Sequence, residues 1–135
     1  MNTLTLEATI DNIPVITDFI NEQLEALDCA MKAQLQIDVA IDEVFTNIAS
    51  YAYPEGAGMA TVQIDFDAAT RVASIVFEDD GIPFNPLKAK EPDITLSAEE
   101  RPIGGLGIFL VRKTMDDVRY ERRDDKNILT IEKKI

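Results

Sequence analysis

The chain has 135 residues, of which 46% are hydrophobic and 28% charged, and its formal net charge at pH 7 is −12. This length and composition indicate a single soluble globular domain. The acidic balance argues against binding to nucleic acids and to anionic membrane surfaces, since both kinds of binding depend on Lys and Arg.

The lack of histidine and the single cysteine exclude several kinds of catalytic and metal site. The chain contains no histidine and one cysteine, Cys29. A Ser-His-Asp triad, a phosphohistidine within this chain, the common zinc sites and an internal disulfide are therefore excluded. A lone cysteine is typical of a reducing compartment, and we expect it to be a small core residue. The N-terminus has neither a basic start nor a long apolar stretch, which predicts a cytoplasmic protein without a signal peptide.

The N-terminal half predicts one strand, two helices and two further strands. Apolar residues first alternate with polar ones, as in a half-buried strand: Leu4, Leu6, Ala8 and Ile10. A helix is expected to begin near Pro14. A longer helix is expected over residues 33–53, where Pro54 ends it. Strands follow at 62–66 and 71–79.

The C-terminal half begins with an irregular segment. Four of the six prolines lie between residues 83 and 102, and a loop this long inside a compact domain is usually functional. We interpret residues 87–103 as a mobile lid. Three elements and a turn complete the chain: helix 106–115, strand 118–122, turn 124–127 and strand 128–133. The element order predicts an α+β fold, a two-layer sandwich whose mixed, mostly antiparallel sheet is covered on one face by helices.

The second predicted helix carries the first candidate site. Glu43 and Asn47 are spaced i, i+4, so both side chains lie on one face of the helix, at the border of its apolar stripe. A carboxylate and an amide at such a border could bind Mg²⁺ through oxygen, and the carboxylate could accept a proton from a hydroxyl. The alternative from spacing alone is an ordinary solvated helix edge.

The second candidate site is the end of the strand at 71–79. Asp79 ends this strand, and Gly81 and Pro83 follow in a turn. A carboxylate fixed there can accept a hydrogen bond from an amino group such as that of adenine, and glycine would let the backbone approach a flat ring. The alternative is an ordinary turn.

The third candidate site lies at the start of the helix predicted at 106–115. It contains three closely spaced glycines: Gly104, Gly105 and Gly107. Backbone amides at a helix N-terminus form an anion site, and glycine lets a phosphate approach. The spacing matches neither the dinucleotide fingerprint nor the Walker pattern. The alternative is a flexible loop that leads into a buried helix.

Together the three sites resemble the Bergerat-type ATP-binding fold, which DNA gyrase, histidine kinases and MutL share. The motifs come in the order of that superfamily: Glu43-x-x-x-Asn47, Asp79-x-Gly81 and Gly105-x-Gly107. The resemblance covers nearly the whole chain, from about Leu4 onward. It implies one histidine-kinase-like ATPase domain over residues 1–135, with an ATP lid at 87–103.

The local sequences are similar to those of one subfamily, the anti-sigma factor serine/threonine kinases of bacteria. Both glycine-containing stretches, Asp-Asp-Gly-Ile-Pro-Phe-Asn-Pro and Gly-Gly-Leu-Gly-Ile-Phe-Leu-Val, look like that subfamily's versions. So does Met115-Asp116-Asp117-Val118-x-Tyr120-x-Arg122, which follows the last predicted helix.

The resemblance implies a role for each motif residue. Asn47 would coordinate Mg²⁺ on the ATP phosphates, and Glu43 would be the general base. Asp79 would hold the adenine amino group, with Gly81 beneath the ring and Thr130 assisting the carboxylate. The phosphates would be wrapped by Gly104, Gly105, Leu106 and Gly107.

The chain departs from the family pattern at two places. The family often has a histidine shortly after the metal-binding asparagine, where this chain reads Ser50-Tyr51-Ala52-Tyr53, and it often has an aspartate where Asn85 stands. Neither departure removes a proposed catalytic group. Three cationic lid residues could contact phosphate or simply solvate the loop: Lys88, Lys90 and Arg101.

The implied function is that of an ATP- and Mg²⁺-dependent serine/threonine protein kinase of the anti-sigma factor type. Its substrate would be an anti-sigma factor antagonist with a STAS domain, and a sigma factor would compete for the same kinase. The resemblance also implies a homodimer, and the acidic charge predicts no direct contact with nucleic acid or membrane. Two alternatives stay open, a nucleotide-dependent protein-binding module with little kinase activity and the detached ATPase domain of a histidine kinase.

Overall fold

The computed structural model describes residues 2–54, 56–88 and 105–135. Within these residues the helices are α1 (Ile13–Ala26), α2 (Met31–Tyr51) and α3 (Gly105–Thr114). The strands are β1 (Asn2–Glu7), β2 (Met59–Asp67), β3 (Val72–Asp79), β4 (Asp117–Arg123) and β5 (Lys126–Lys134). None of the described helices combines the length and the apolar character needed to cross a membrane.

The five strands form one sheet in the order β1-β2-β3-β5-β4, and every described pairing is antiparallel. The predicted two-layer α+β architecture is confirmed. In the register of the central strand, Asp79 at the end of β3 lies opposite Asn127 on β5 and Ala60 on β2. The end of β3 and the start of β5 therefore come together, although they are far apart in the sequence.

The core lies between the helices and one face of the sheet. Side chains on β3 alternate between buried and half-buried along its length, as expected for a strand with one face against a core. The largest fully buried side chains come from both layers: Phe45, Phe77, Ile16, Ile20, Leu24, Ile37, Ile41, Ile75 and Ile131. Each contributes about 1.5–3 kcal/mol through burial of its apolar surface. Cys29 is partly buried and packs against this core.

Two element boundaries differ from the predicted ones. Ile10 belongs to a 3-10 turn and is 58% exposed, so the first strand is shorter than its apolar alternation indicates. The turn between β4 and β5 consists of Asp124 and Asp125, whose φ angles are 54° and 62°. A two-residue turn with positive φ at both positions matches the twist of a hairpin. The residue Asn127 therefore lies in β5 and not in the turn.

Candidate functional site

Helix α2 presents Glu43 and Asn47 one helical turn apart. Asn47 is only 7% exposed, and its Nδ2 has no hydrogen-bond partner among the residues that the structure describes. Leaving a buried polar group unpaired costs about 1–3 kcal/mol, which a ligand can offset. The amide of Asn47 is thus a candidate ligand-binding group.

Glu43 is half-buried and lies one helical turn before Asn47 on α2. Burial raises the pKa of its carboxyl, and the neighbouring Asp42 carboxylate raises that pKa further. A carboxylate whose pKa is raised in this way is a better proton acceptor near neutral pH than an ordinary surface glutamate.

Gly107, in the first turn of α3, lies directly against Glu43. A Cβ atom on Gly107 would come within 1.7 Å of Glu43 Oε2 and 2.4 Å of its Cδ. Only glycine therefore leaves room for the carboxylate at this contact. The packing of α3 on α2 also brings the start of α3, where backbone N–H groups have no partner within the helix, beside the candidate base.

Asp79 is 5% exposed at the end of β3. Its Oδ1 accepts hydrogen bonds from the Gly81 backbone N–H at 2.9 Å and from Asn127 Nδ2 at 2.9 Å. The other oxygen, Oδ2, makes no hydrogen bond to the described part of the chain. One oxygen is thus fixed by the protein, and the other can accept a hydrogen bond from a ligand.

Asn127, at the start of β5, joins Asp79 to the loop that follows it. Its Nδ2 donates to Asp79 Oδ1 and, at 2.8 Å, to the Ile82 carbonyl oxygen. Its Oδ1 accepts from the Phe84 N–H at 3.3 Å and from the Tyr120 hydroxyl. The hydrogen-bonding capacity of this amide is fully used.

Asn47, Asp79 and Asn127 line one narrow slot. Its other walls are mostly apolar: Val44, Ile48, Ala52, Phe77, Phe84, Pro86, Tyr120 and Leu129. The slot encloses about 30 Å³, which is room for only one or two water molecules. A purine ring must therefore widen it. The walls best able to move are Phe84 and Pro86, since they belong to a loop and not to α2 or the sheet.

Gly81 packs against the end of α2 and is not a wall of this slot. It lines a neighbouring open cleft with Tyr53 and Arg122. A Cβ atom on Gly81 would lie 2.3 Å from the Ala52 carbonyl oxygen, and the Ile82 N–H donates to that same oxygen at 2.9 Å. Glycine is required here because two backbone segments approach closely.

Thr130 does not meet Asp79. On β5 the side chains of Asn127, Leu129 and Ile131 are buried on the helix side, and Thr130 between them belongs to the opposite face of the sheet. The expectation that this threonine assists Asp79 is therefore wrong. Asn127, directly opposite Asp79 in the register, makes that contact instead.

The stretch that departs from the family pattern ties α2 to the loop after β3. The ring centroids of Tyr51 and Phe84 are 5.1 Å apart, and the two ring planes are tilted by 31° to each other. The Tyr53 hydroxyl donates to the Met59 carbonyl oxygen at 2.6 Å and accepts from the Asp80 N–H at 2.9 Å. The two tyrosines thus hold the loop that closes one side of the slot.

Most of the predicted lid lies outside the described residues. Pro86–Lys88 forms a 3-10 turn, and Gly105 and Leu106 open α3. The segment 89–104 is not described, and it contains Lys90, Arg101 and Gly104. Its role at the ATP phosphates therefore stays a prediction.

Sequence reasoning missed Asn127 and Tyr120 as site residues. Asn127 ends the run Asp124-Asp125-Lys126-Asn127, whose composition is typical of a turn, and Tyr120 has the pattern of any half-buried strand residue. The signal that could have found Asn127 is its position opposite Asp79, which requires the β3–β5 register.

Comparison with known proteins places the chain in a family. The family model described as the histidine kinase-like ATPase domain matches residues 6–133. The chain belongs to this histidine kinase-like ATPase domain family, and the resemblance inferred from its motifs is confirmed.

Two curated relatives are protein kinases by name. The serine/threonine-protein kinase BtrW of Bordetella bronchiseptica is 29% identical over 100 residues, which cover 74% of this chain and 70% of that protein. The serine-protein kinase RsbW of Bacillus mycoides is 34% identical over 95 residues, which cover 67% of this chain and 58% of that protein. The match thus spans little more than half of the RsbW sequence.

A solved structure has the same fold. The histidine kinase domain of the blue-light-activated histidine kinase from Erythrobacter litoralis EL346 superposes with a TM-score of 0.56 at 16% sequence identity. The superposition covers 90% of this chain and 60% of that domain's chain. This likeness supports the fold assignment alone.

Proposed function

We propose that the protein is an ATP- and Mg²⁺-dependent serine/threonine protein kinase of the anti-sigma factor type. The observation that carries the proposal is the arrangement of three side chains: Asn47 and Asp79 line one slot, and Glu43 lies one turn from Asn47 on α2. Phosphoryl transfer depends on positioning and on charge stabilisation, and these groups offer both. The kinase names of the relatives support the same function.

Adenine would enter the slot with its amino group donating to Asp79. Oδ1 of this carboxylate already accepts two hydrogen bonds, so Oδ2 would be the acceptor for the base. The apolar walls suit a flat ring, and rotation of the Phe84 side chain, with its backbone N–H still bonded to Asn127, would make room for it.

Mg²⁺ would be held by Asn47 together with the ATP phosphates and water. In kinase sites this ion keeps several waters and takes few protein oxygens, so the Oδ1 of one amide would suffice, and the unpaired Nδ2 of the same amide could donate to a phosphate oxygen. The described residues contain no group of three or more His, Cys, Asp or Glu side chains that could hold a metal alone. When bound, Mg²⁺ would neutralise charge on the phosphates.

Glu43 would act as the general base. It would take the proton from a serine or threonine hydroxyl of the substrate protein. As it does so, the hydroxyl oxygen bonds to the γ-phosphorus and the bond between that phosphorus and the bridging oxygen breaks, which releases ADP. A positioned base of this kind contributes about 10²–10⁴-fold to a rate. The raised pKa of Glu43 favours this role.

The protein substrate would dock along α2. Three apolar residues, Met31, Leu35 and Val39, recur every four residues on this helix and are 69%, 56% and 50% exposed. We call them the α2 ridge. Glu43 and Asn47 are the next members of the same i, i+4 series, so the ridge leads from solvent to the candidate base. Exposed apolar rows mark interaction surfaces. We assign this one to the STAS-domain antagonist, whose hydroxyl must reach Glu43.

A sigma factor would be the competing partner. This assignment rests on the resemblance to anti-sigma factor kinases. Binding of one protein would exclude the other, and phosphorylation of the antagonist would release it and leave the kinase to sequester the sigma factor.

A nucleotide-dependent binding module with little transfer activity is the second candidate. The α2 ridge favours it, because an exposed apolar row offers a protein-binding surface whether or not phosphate is transferred. The detached ATPase domain of a histidine kinase is the third candidate, favoured by the match to the histidine kinase-like ATPase domain family. It would need a phosphoacceptor histidine in another protein.

The experiment is transfer of labelled γ-phosphate from ATP to a STAS-domain protein of the same organism. Glu43→Gln should lower the transfer rate by at least about 100-fold and keep ATP binding, because the amide has the same shape but accepts no proton. Glu22→Gln makes the same change at an exposed position of α1 and should leave the rate unchanged.

Each candidate function has its own result in this assay. Transfer at full rate by Glu43→Gln would refute the base assignment. Absence of transfer by a wild-type protein that binds both ATP and the STAS-domain protein would favour the binding module. An acid-labile phosphohistidine on a partner would favour the histidine kinase domain.

A further inference from the structure

We infer that Asn127 determines which nucleotide base the slot accepts, because it fixes the Asp79 carboxylate. The inference rests on the proposed binding of a nucleotide beside Asp79. Asn127 would touch neither the phosphates nor the reacting atoms, so it is a positioning residue.

The amide of Asn127 can occupy its site in only one orientation. The groups on its Nδ2 side, Asp79 Oδ1 and the Ile82 carbonyl oxygen, are both acceptors. The groups on its Oδ1 side, the Phe84 N–H and the Tyr120 hydroxyl, both donate. A reversed amide would lose three of the four hydrogen bonds, because among these partners only the Tyr120 hydroxyl can also accept. Because Asn127 is 6% exposed, water cannot readily replace them.

This fixed orientation sets the chemistry that Asp79 offers to a ligand. Oδ1 is occupied by donors from Gly81 and Asn127, so Oδ2 is left as an acceptor that has no donor among the described residues. Adenine presents an amino group, which donates to such an oxygen. Guanine presents a carbonyl oxygen at the equivalent ring position, and two facing acceptors repel each other. A site built around one buried hydrogen bond discriminates strongly against an analogue that cannot make it.

Asn127 also fixes one wall of the slot. Its bonds to the Ile82 carbonyl and the Phe84 N–H hold both ends of the short segment that carries the Phe84 ring. The same side chain thus sets the acceptor for the base edge and the position of a ring that would cover the base face.

The test compares the affinities of ATP and GTP for the full chain by calorimetry. Asn127→Asp replaces the donor Nδ2 with a second acceptor oxygen beside Asp79 Oδ1, so the hydrogen bond that holds the Asp79 carboxylate is lost. The carboxylate can then turn, and it no longer presents Oδ2 to the edge of the base in one fixed orientation. We expect the ratio of ATP to GTP affinity to fall by at least about tenfold, a free-energy difference of about 1.4 kcal/mol.

Asn85→Asp is the matched control. It makes the same substitution in the loop after β3, but among the described residues Asn85 Oδ1 accepts from the Leu87 N–H alone, in a local turn, and an aspartate can accept that bond equally well. The affinity ratio should stay at the wild-type value. Asn127→Ser serves where Asn127→Asp does not fold, since it removes the bridging amide without adding charge, and it should lower the ratio in the same direction.

The base selectivity separates a positioning role from a structural one. Suppose that the wild-type protein prefers ATP and that an Asn127 variant weakens ATP and GTP binding by the same factor. The inference is then overturned, and the proposed function stands. If the wild-type protein binds neither nucleotide, the proposed function fails and the inference fails with it.

Discussion

The carboxylate of Glu43 lies in the space where a side chain at position 107 would begin, so Glu43 and Gly107 are in direct contact between α2 and α3. The contact joins the candidate base to the helix whose first three residues, 105–107, belong to the predicted phosphate-binding segment. A shift of the start of α3 would therefore move Glu43. The candidate base and the predicted phosphate-binding residues, which phosphoryl transfer needs together, are packed as neighbours.

Gly107→Ala tests this contact. The new methyl group would displace Glu43 Oε2, which is the end of a flexible side chain, so we expect the transfer rate to fall by at least about tenfold, or about 1.4 kcal/mol of activation free energy. Alanine stabilises a helix by about 0.5–1 kcal/mol relative to glycine, so the free energy of unfolding should not fall. Single-turnover transfer and urea unfolding measure the two effects. In the Glu43→Gln background the substitution should add no further loss of rate, and a full rate in the wild-type background would contradict the account.

Gly81→Ala, unlike Gly107→Ala, should lower the stability of the fold. Its methyl group would meet the Ala52 carbonyl oxygen at 2.3 Å, and this backbone atom cannot rotate away. We expect the free energy of unfolding to fall by about 1–3 kcal/mol, with weaker ATP binding because the loop after Asp79 must shift. Urea unfolding and calorimetry measure these quantities. Wild-type stability would mean that the turn and α2 separate easily.

The pH dependence of transfer should report Glu43. The base must be deprotonated, so the rate is lost as the pH falls through its pKa, which burial and then Asp42 raise above the ordinary value of 4.5. Asp42→Asn removes the second of these causes, so the acidic inflection should move to lower pH. The measurement is the single-turnover rate between about pH 4.5 and pH 8.

Asp67→Asn is the control for this pH profile. It removes one negative charge from the exposed end of β2, outside α2, and should leave the inflection at its wild-type pH. If Asp42→Asn and Asp67→Asn give the same inflection as the wild type, Glu43 does not limit the rate as a base.

The α2 ridge should bind the protein substrate and not the nucleotide. Leu35→Glu places a charge where an apolar contact is proposed, and loss of one buried leucine is equivalent to about 1.5–3 kcal/mol. We expect the affinity for the STAS-domain protein to fall by at least about tenfold, with ATP binding unchanged. Val15→Glu on α1 is the control, because Val15 is 48% exposed and Leu35 is 56% exposed. Equal effects of both substitutions would contradict a docking surface on the ridge.

The fold could be predicted from sequence where each element has its own pattern. The apolar spacing and Pro54 place the second helix at 33–53, and the structure has it at Met31–Tyr51. The alternation in the two central strands likewise agrees with the burial of β2 and β3. These signals are local, because the period of apolar residues fixes which face is buried.

The site could be predicted only in part, because half of it depends on strand register. Glu43 with Asn47 follows from helical spacing, and Asp79 follows from the end of a strand. Asn127 reaches Asp79 only because β5 pairs with β3, and no local pattern specifies that pairing. Thr130 was assigned to the wrong face for the same reason, since a shift of a single residue along a strand moves a side chain to the other side of the sheet.

The most direct test of the central claim is thermal unfolding with ATP, with and without Mg²⁺, against GTP and AMP. ATP at about 100 times its dissociation constant should add about 2.7 kcal/mol to the free energy of unfolding, which raises the midpoint by several degrees. We expect the full shift only when Mg²⁺ is present, no shift with GTP, and no shift with ATP in the Asp79→Asn variant. No shift at millimolar ATP, or an equal shift with GTP, would contradict the claim that the slot between α2 and the sheet binds an adenine nucleotide.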